Sequence, residues 1–295
     1  MNSRKLIALV ATVLLMTVWG STFLITKTTV QEIPPFTLGV IRFLLAAMVL
    51  TPVAIARGAL KQLPRPFPFG LLTLLALTGF AGFSAAFNNA LRFGSVVQGS
   101  LIFALVPAAI GLAAVLILKE RLSTRRIAGI ALSVGGVAMV VGVGRASAAA
   151  PNPMLGALCM VGAVVAWALY TVTAKRAAHL DPLVMIAGAS LLGSIFLLPL
   201  SALELTRQMP HVTLGGIAGA FFLGVFASGI AYVVYSRILR ELDASLVGTL
   251  LNIDPIVGVI SAVVFLGEAL HGWQVVGGLA AFGGMWLASA SGADA

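Results

Sequence analysis

Two charged residues stand inside stretches of sequence that are otherwise apolar. Asp254 falls within residues 245–266, and Arg42 falls within residues 36–56. Ionisable side chains in such stretches are rare and usually face a pathway or a partner. Asp254 is therefore a candidate site for a proton or a substrate amine, with a buried structural partner as the alternative. Arg42 is a candidate for binding a substrate carboxylate or for reaching Asp254, with snorkelling to the outer lipid headgroups as the alternative.

Aromatic and hydroxyl side chains form stripes in two further apolar stretches. The stripes are Phe80, Ser84, Phe87 and Ser228, Tyr232, Tyr235. Their spacing of i, i+4, i+7 places three residues on one side of a helix. Such a mixture suits a binding site for an amphipathic organic solute, whereas the alternative is packing between helices and aromatic residues at the membrane surface. The candidate substrate-binding residues are Trp19, Phe80, Ser84, Phe87, Trp167, Tyr232, Tyr235 and Arg42.

The composition predicts that these residues lie in membrane-spanning helices. Of the 295 residues, 60% are hydrophobic and 9% are charged, and the mean hydropathy is +1.09. Soluble proteins carry about 25% charged residues, so this chain lacks the polar surface that a soluble protein needs. A helix crosses a bilayer with roughly 20 apolar residues, and the apolar runs do not alternate as barrel strands would. The ten predicted spans are about 5–26, 36–56, 69–91, 97–118, 126–144, 154–174, 183–203, 213–236, 245–266 and 272–290.

The basic residues predict the orientation of the chain in the membrane. The formal net charge is +9, which on its own would also suit a nucleic-acid partner. Most of the 18 lysines and arginines, however, fall in alternate loops when the N-terminus is placed inside. Cytoplasmic loops carry such an excess. We therefore expect both termini in the cytoplasm, lipid around the protein, and no nucleic-acid partner.

The sequence repeats itself at an offset of 148 residues. Trp19 recurs as Trp167, and paired glycines at 135–136 recur at 283–284. The offset predicts two repeats, residues 1–147 and 148–295, that together form one transmembrane domain. Five helices per repeat is an odd number, so the second repeat enters the membrane from the opposite face. We predict an all-α integral membrane protein whose ten helices form two inverted five-helix repeats around a central cavity, the arrangement that permits alternating access.

Comparing each residue with its repeat mate, the residue 148 positions away, separates two classes. Asp254 is matched by Val106 and Arg42 by Ser190, so the fold has no need for either charge. The shared charges suggest structural roles. Lys27 and Lys175 are predicted to anchor helix ends at the membrane surface, and Glu120 and Glu268 to cap backbone donors at helix starts. These four structural residues are Lys27, Lys175, Glu120 and Glu268.

Small residues line predicted spans 5 and 10, with Ser133 and paired glycines in one and Ala281 and paired glycines in the other. Such stripes let helix backbones approach closely, which predicts either an internal scaffold or a homo-oligomer contact through these two spans. Cys159 is the single cysteine, and the three histidines are scattered. We expect no catalytic residue, no metal and no cofactor, and therefore no enzyme.

Several of these residues resemble the EamA family of the drug/metabolite transporter superfamily. They are Trp19-Gly20-Ser21, Lys27, Pro34, Arg42 and Glu120-Arg121-Leu122 before a glycine-rich span, echoed by Glu268-Ala269-Leu270. The resemblance covers essentially the whole chain and is specific for fold rather than substrate. It implies ten helices in two inverted repeats around a cavity lined by spans 1, 3, 4, 6, 8 and 9. The overall character is most similar to YddG-type bacterial exporters of aromatic and neutral amino acids.

The resulting hypothesis is a multi-pass transporter of the bacterial cytoplasmic membrane. It would export a small-molecule substrate, an aromatic or neutral amino acid, by alternating access. The alternatives are export of other metabolites, drugs or nucleotide sugars, and, outside transport, an integral membrane enzyme or an assembly scaffold.

Overall fold

A computed structural model describes residues 3–59, 66–119, 124–142, 150–177, 179–241, 250 and 253–290 of the chain. Within these ranges the regular structure is helical. The helices are α1 (Ser3–Thr29), α2 (Pro35–Ala56), α3 (Phe69–Leu75, Ala76–Gly82 and Phe83–Phe93), α4 (Val96–Phe103 and Val106–Leu118), α5 (Thr124–Gly142), α6 (Pro153–Arg176), α7 (Pro182–Arg207), α8 (Leu214–Phe221, Phe222–Ile230 and Ala231–Glu241), α9 (Ile253–Leu266) and α10 (Gly272–Ala290). The predicted all-α integral membrane fold is confirmed.

The surface of the helices is the surface that lipid requires. Large apolar side chains such as Leu116, Phe265 and Leu279 are more than two-thirds exposed. In the described part of the chain, seven helices are long and apolar enough to cross a membrane, and residues 127–141 and 253–266 form shorter apolar helices. In water, exposure of these side chains would cost a free energy of about 25 cal/mol per Å² of apolar surface. The bilayer removes that cost.

Helices of the two halves pack in reciprocal pairs. α1 packs against α9 as α6 packs against α4, and α3 packs against α6 as α8 packs against α1. α2 contacts α8 as α7 contacts α3, while α2 packs along its own repeat mate α7. Reciprocal contacts of this kind are those of a two-fold axis, in which residue i meets j and the mate of j meets the mate of i.

The pairing of α5 with α10 shows the direction of this axis. Ser133 Oγ donates to the carbonyl oxygen of its own repeat mate Ala281 at 3.0 Å. On either side of that bond, Gly136 meets the backbone at Gly277, and Gly284 meets the backbone at Gly129. Positions that rise along α5 fall along α10, so the two helices are antiparallel. The small-residue stripes are therefore used inside the chain, and a homo-oligomer contact through these helices stays a prediction.

Three irregularities interrupt the helices where a uniform apolar sequence predicts none. The predicted span 97–118 corresponds to an apolar span at Val96–Ile117, but α4 is interrupted at residues 104–105 and restarts at Val106 with Pro107 behind it. Proline removes a backbone donor and crowds the preceding turn, which favours such a break. α3 and α8 contain π-helical segments, Ala76–Gly82 and Phe222–Ile230, at equivalent positions of the two repeats. Segments of this type frequently mark functional sites.

Candidate functional site

Four of the predicted substrate-binding residues meet between α1, α3 and α8. The ring of Phe80 stacks on Tyr232 with centroids 6.2 Å apart. Trp19 lies 5.8 Å from Tyr232 and 5.3 Å from Tyr235, measured between ring centroids. Phe80 and Tyr232 are buried, whereas Trp19 and Tyr235 are half-buried. The two stripes predicted from the sequence thus face each other across the boundary between the repeats.

The other predicted aromatic residues join this group through α6. Tyr170 lies 5.9 Å from Phe80 and 5.2 Å from Trp167, again between centroids. Phe83 then links Trp167, at 5.1 Å, to Phe87, at 5.3 Å. Tyr170 is three residues beyond Trp167, so the helical period places both on one face. We call the eight residues of α1, α3, α6 and α8 in these contacts the aromatic cluster: Trp19, Phe80, Phe83, Phe87, Trp167, Tyr170, Tyr232 and Tyr235.

Ser84 lies apart from the aromatic cluster. Its hydroxyl is fully buried and accepts a hydrogen bond from Asn88 Nδ2 at 3.1 Å. Asn88 also donates to the carbonyl oxygen of Pro35 at 2.9 Å, and Ser84 packs against Gly39. In this conformation Ser84 and Asn88 together tie α3 to α2, and a contact between Ser84 and a substrate stays a prediction.

The π-helical segment of α8 supplies polar partners at the edge of the cluster. Trp19 Nε1 donates to the carbonyl oxygen of Ala227 at 2.9 Å. Arg42 Nε donates to Ser228 Oγ at 2.7 Å. A π-helical turn shifts the backbone hydrogen bonds from i→i+4 to i→i+5. That change gives side chains from α1 and α2 access to the middle of α8.

Arg42 is buried beside the aromatic cluster. Its side chain is 7% exposed, and its guanidinium carbon lies 5.7 Å from the centroid of the Phe43 ring. Phe43 in turn contacts Phe80 at 5.1 Å between centroids. The side chain therefore points into the protein and away from the outer headgroups. Among the described residues Ser228 is its hydrogen-bond partner, so the two Nη groups keep donors that match a carboxylate.

Asp254 lies at the opposite end of the same group. It stands in the first turn of the described part of α9 and is 8% exposed. The carboxylate is within electrostatic range of the Tyr235 hydroxyl, and a Cβ placed on Gly20 would come 2.7 Å from the Asp254 carbonyl oxygen. Arg42 thus donates a hydrogen bond to Ser228 of α8, whereas Asp254 is within electrostatic range of Tyr235 of the same helix. Those two α8 residues are about 10 Å apart along the helix at 1.5 Å per residue.

A second group of polar contacts joins the helix ends that the distribution of basic residues predicts to lie outside. Glu268 accepts hydrogen bonds from the backbone N–H groups of Val96 and Val97, both at 2.9 Å. The carboxylate comes from the loop before α10 and caps the start of α4 in the other repeat. Capping by an acidic residue satisfies free donors and complements the helix dipole. Its repeat mate Glu120 lies outside the described residues.

Lys27 is buried inside the protein and does not anchor α1 at the membrane surface, contrary to the expectation from the sequence. Its side chain is 8% exposed. Nζ donates to the carbonyl oxygens of Leu91 at 3.0 Å and Gly94 at 2.8 Å. These carbonyls end α3 and have no partner in a following turn, so the ammonium group caps them. Lys175, by contrast, is exposed at the end of α6.

Two further carboxylates take part that the sequence reasoning missed. Glu204 of α7 accepts from the backbone N–H groups of Phe36 and Thr37 at the start of α2, both at 3.0 Å. Glu32 accepts from the backbone N–H of Thr213 at 2.8 Å and from its hydroxyl. The backbone hydrogen bond from Thr213, followed by the one from its side chain, lowers the pKa of Glu32 below its ordinary value. We call the bonds made by Lys27, Glu32, Glu204 and Glu268 the outer contacts.

The repeat seen in the packing also appears in the comparison with protein families. The model of the EamA-like transporter family matches this chain twice, at residues 6–142 and 154–290. The chain belongs to the EamA-like transporter family. The two matches are displaced by the same 148 residues as the repeat, which agrees with one family unit per half.

Relatives of this EamA protein are named as transporters. A transporter from Archaeoglobus fulgidus is 28% identical over 291 residues, covering 98% of this chain and 99% of that protein. A probable amino-acid metabolite efflux pump from Salmonella typhimurium is 27% identical, covering 93% and 92%. A threonine/homoserine exporter from the same species, RhtA, is 28% identical over 42% of this chain and 41% of its own length. A solved crystal structure with a TM-score of 0.65 and 24% identity covers 95% of this chain and 97% of its own, and it supports the fold.

Proposed function

We propose that this protein exports small amphipathic metabolites, most specifically aromatic or neutral amino acids, across the bacterial cytoplasmic membrane. The observation that carries the proposal is the position of Arg42. Its guanidinium is buried next to Phe43 and Phe80, with Nη donors that no described residue uses. A buried cation beside aromatic rings matches a ligand with a carboxylate at one end and an apolar side chain at the other.

In this proposal the aromatic cluster holds the substrate side chain. Phe80 and Tyr232 stack on each other at its centre, while the half-buried Trp19 and Trp167 belong to different repeats and border the cluster from α1 and α6. Aromatic pairs contribute about 0.5–1.5 kcal/mol beyond the area they bury. A planar apolar side chain gains most from such surroundings, and a small polar one gains least.

Alternating access is the proposed transport mechanism. Two inverted repeats can exchange their conformations, which opens the shared site to one side and then to the other. The outer contacts tie α1 to α3, α2 to α7 and the loop before α10 to α4. We take them to hold the outer helix ends together while the site is closed to the outside. Opening would require these bonds to break and others to form at the inner end.

The names of two relatives support the substrate class: one is a probable amino-acid metabolite efflux pump and one a threonine/homoserine exporter. The second candidate class is export of drugs or nucleotide sugars, which the resemblance to the family keeps open. It differs in chemistry, because those solutes lack the carboxylate next to an apolar group that Arg42 is proposed to bind. Both candidate substrate classes involve transport of a solute and no chemical conversion of it.

Thermal shift of the purified protein in detergent tests the substrate class. Tryptophan, phenylalanine and leucine should raise the melting temperature, and tryptamine, which lacks the carboxylate, should do so far less. Arg42→Gln should abolish the difference between tryptophan and tryptamine. Stabilisation by a nucleotide sugar or a cationic drug, with none by any amino acid, would replace the amino-acid proposal with the second class.

A further inference from the structure

One oxygen of the Asp254 carboxyl group is buried away from any partner that the structure describes. Its Oδ1 has no hydrogen-bond donor among the described residues and is shielded from solvent. Moving an ionised carboxylate out of water costs several kcal/mol unless a cation or donors replace the water. In the conformation described, a neutral carboxyl group that carries its proton avoids this cost. The residue is therefore poised to hold a proton.

The fold has no structural use for a carboxyl group at this position. The repeat mate of Asp254 is Val106, which begins the second part of α4 at the break in that helix. An apolar side chain thus serves in the equivalent environment of the other repeat. The two positions differ in charge but share the proline that follows, Pro255 in one repeat and Pro107 in the other.

The elements packed around Asp254 supply no resident cation. α4 contains no titratable residue in its described parts. α1 contributes Lys27, whose Nζ is bound to the carbonyls of Leu91 and Gly94, and also Arg4 and Lys5, which lie more than about 20 Å from Gly20 by helix rise. α8 contributes the hydroxyl of Tyr235, and its Arg237 is exposed. Arg42 is engaged with Ser228, about 10 Å farther along α8 by helix rise. Among the described residues, therefore, none supplies the positive charge that an ionised Asp254 needs.

The location of Asp254 couples it to the proposed substrate site. Tyr235, its electrostatic neighbour, packs on Trp19 of the aromatic cluster at 5.3 Å between centroids. Gly20, next to Trp19, lets α1 approach so closely that a Cβ there would collide with α9 at Val257 and at the Asp254 carbonyl. A substrate that moves Trp19 or Tyr235 therefore also changes the surroundings of the carboxyl group.

We propose that Asp254 is the proton-carrying residue of this transporter, so that each cycle exports substrate in exchange for a proton. The proposal rests on the proposed function and specifies how that function is driven. Asp254 takes up one proton while the site faces outward and releases it while the site faces inward. Once the site opens inward and water reaches the carboxyl group, hydration favours its ionised form, which promotes release.

Proteoliposomes with a clamped membrane potential test the proposal in two separate measurements. Counterflow exchange of labelled tryptophan without a gradient reports transport itself. Accumulation of tryptophan driven by a pH gradient reports proton coupling. One exchanged proton supports about a tenfold ratio of tryptophan concentrations across the membrane per pH unit. We expect Asp254→Asn to keep counterflow and to lose gradient-driven accumulation. Asp181→Asn, which changes a carboxylate that caps α7 to an amide that can still cap it, should keep both.

Each other result overturns the proposal. Gradient-driven accumulation in Asp254→Asn would remove this residue from coupling, and counterflow without gradient-driven accumulation in the native protein would show transport that is not proton-coupled. Loss of counterflow in Asp254→Asn and in Asp254→Val, with both variants folded, would instead make the carboxylate a site for the substrate amine. Absence of counterflow in the native protein would refute the proposed function as well. If Asp254→Asn fails to fold, Asp254→Val carries the test, because valine occupies the mate position.

Discussion

Glu268→Gln is the most informative change at the outer contacts. The carboxylate accepts two backbone hydrogen bonds of 2.9 Å, from Val96 and Val97, and is 7% exposed. An amide of the same shape offers one oxygen, so one N–H at the start of α4 loses its acceptor. A buried donor without a partner costs about 1–3 kcal/mol. If the bond exists only when the outer side is closed, the outward-open population should rise about 5–150-fold, since 1.4 kcal/mol is a factor of ten.

A cysteine below the outer contacts measures this population. Thr26 is fully buried in α1, and its hydroxyl has no partner among the described residues. In a protein with Cys159→Ser and Thr26→Cys, a membrane-impermeant maleimide added outside should react faster after Glu268→Gln by the factor above. Asp181→Asn provides the control, because Asp181 caps the start of α7 through Oδ1, which an asparagine retains, and it is not one of the outer contacts. Equal labelling with a lowered melting temperature would show that Glu268 stabilises both conformations alike and would refute its role in closure.

Three further predictions concern the site, the scaffold and pH. Arg42→Lys should weaken tryptophan binding about tenfold or more, because a point charge replaces a fork that binds carboxylate through two donors; calorimetric titration measures it. Gly284→Ala should lower the melting temperature in detergent, because its Cβ would collide with the α5 backbone, whereas Gly283→Ala, which has open space, should not. Glu32→Gln should destabilise the protein at neutral pH but not in acid. The pKa of Glu32 is lowered in the folded protein, so its contribution is present above the ordinary value of 4.5 and lost as pH falls below it.

Different observations would contradict these three expectations. Unchanged affinity in Arg42→Lys would mean that the guanidinium does not bind the carboxylate. Equal melting temperatures for Gly284→Ala and Gly283→Ala would mean that α5 and α10 are not held at the distance described. A loss of stability in Glu32→Gln that is the same at every pH would assign the effect to packing instead of charge.

The sequence predicted the parts of the fold that depend on local pattern. Hydropathy located the helices, and the 148-residue offset identified Ser133 and Ala281 as repeat mates, although their contact across α5 and α10 became visible only in the structure. The break in α4 was missed although Pro107 is a clue to it, because proline near a helix start is equally compatible with an unbroken span beginning later. The π-helical segments carry no comparable signal, since their residues are those of any apolar helix.

Contacts over long sequence distances were the least predictable. Glu204 lies 168 residues from Phe36, and Glu32 lies 181 residues from Thr213. No spacing rule links such pairs, because only the packing of the two repeats brings them together. Lys27 was assigned to the surface for the same reason: the carbonyls that it caps end a different helix. Ser84 shares a helical face with Phe80, yet the small rotation between them turns it towards α2.

Tryptophan flux in proteoliposomes is the direct test that this protein transports aromatic or neutral amino acids. The protein is reconstituted, loaded with unlabelled tryptophan and supplied with a trace of labelled tryptophan outside. We expect saturable counterflow of tryptophan above that of protein-free liposomes. Arg42→Gln should reduce this counterflow, and Lys175→Gln, at an exposed helix end, should leave it unchanged. No flux above protein-free liposomes for tryptophan or for any other aromatic or neutral amino acid would contradict the account.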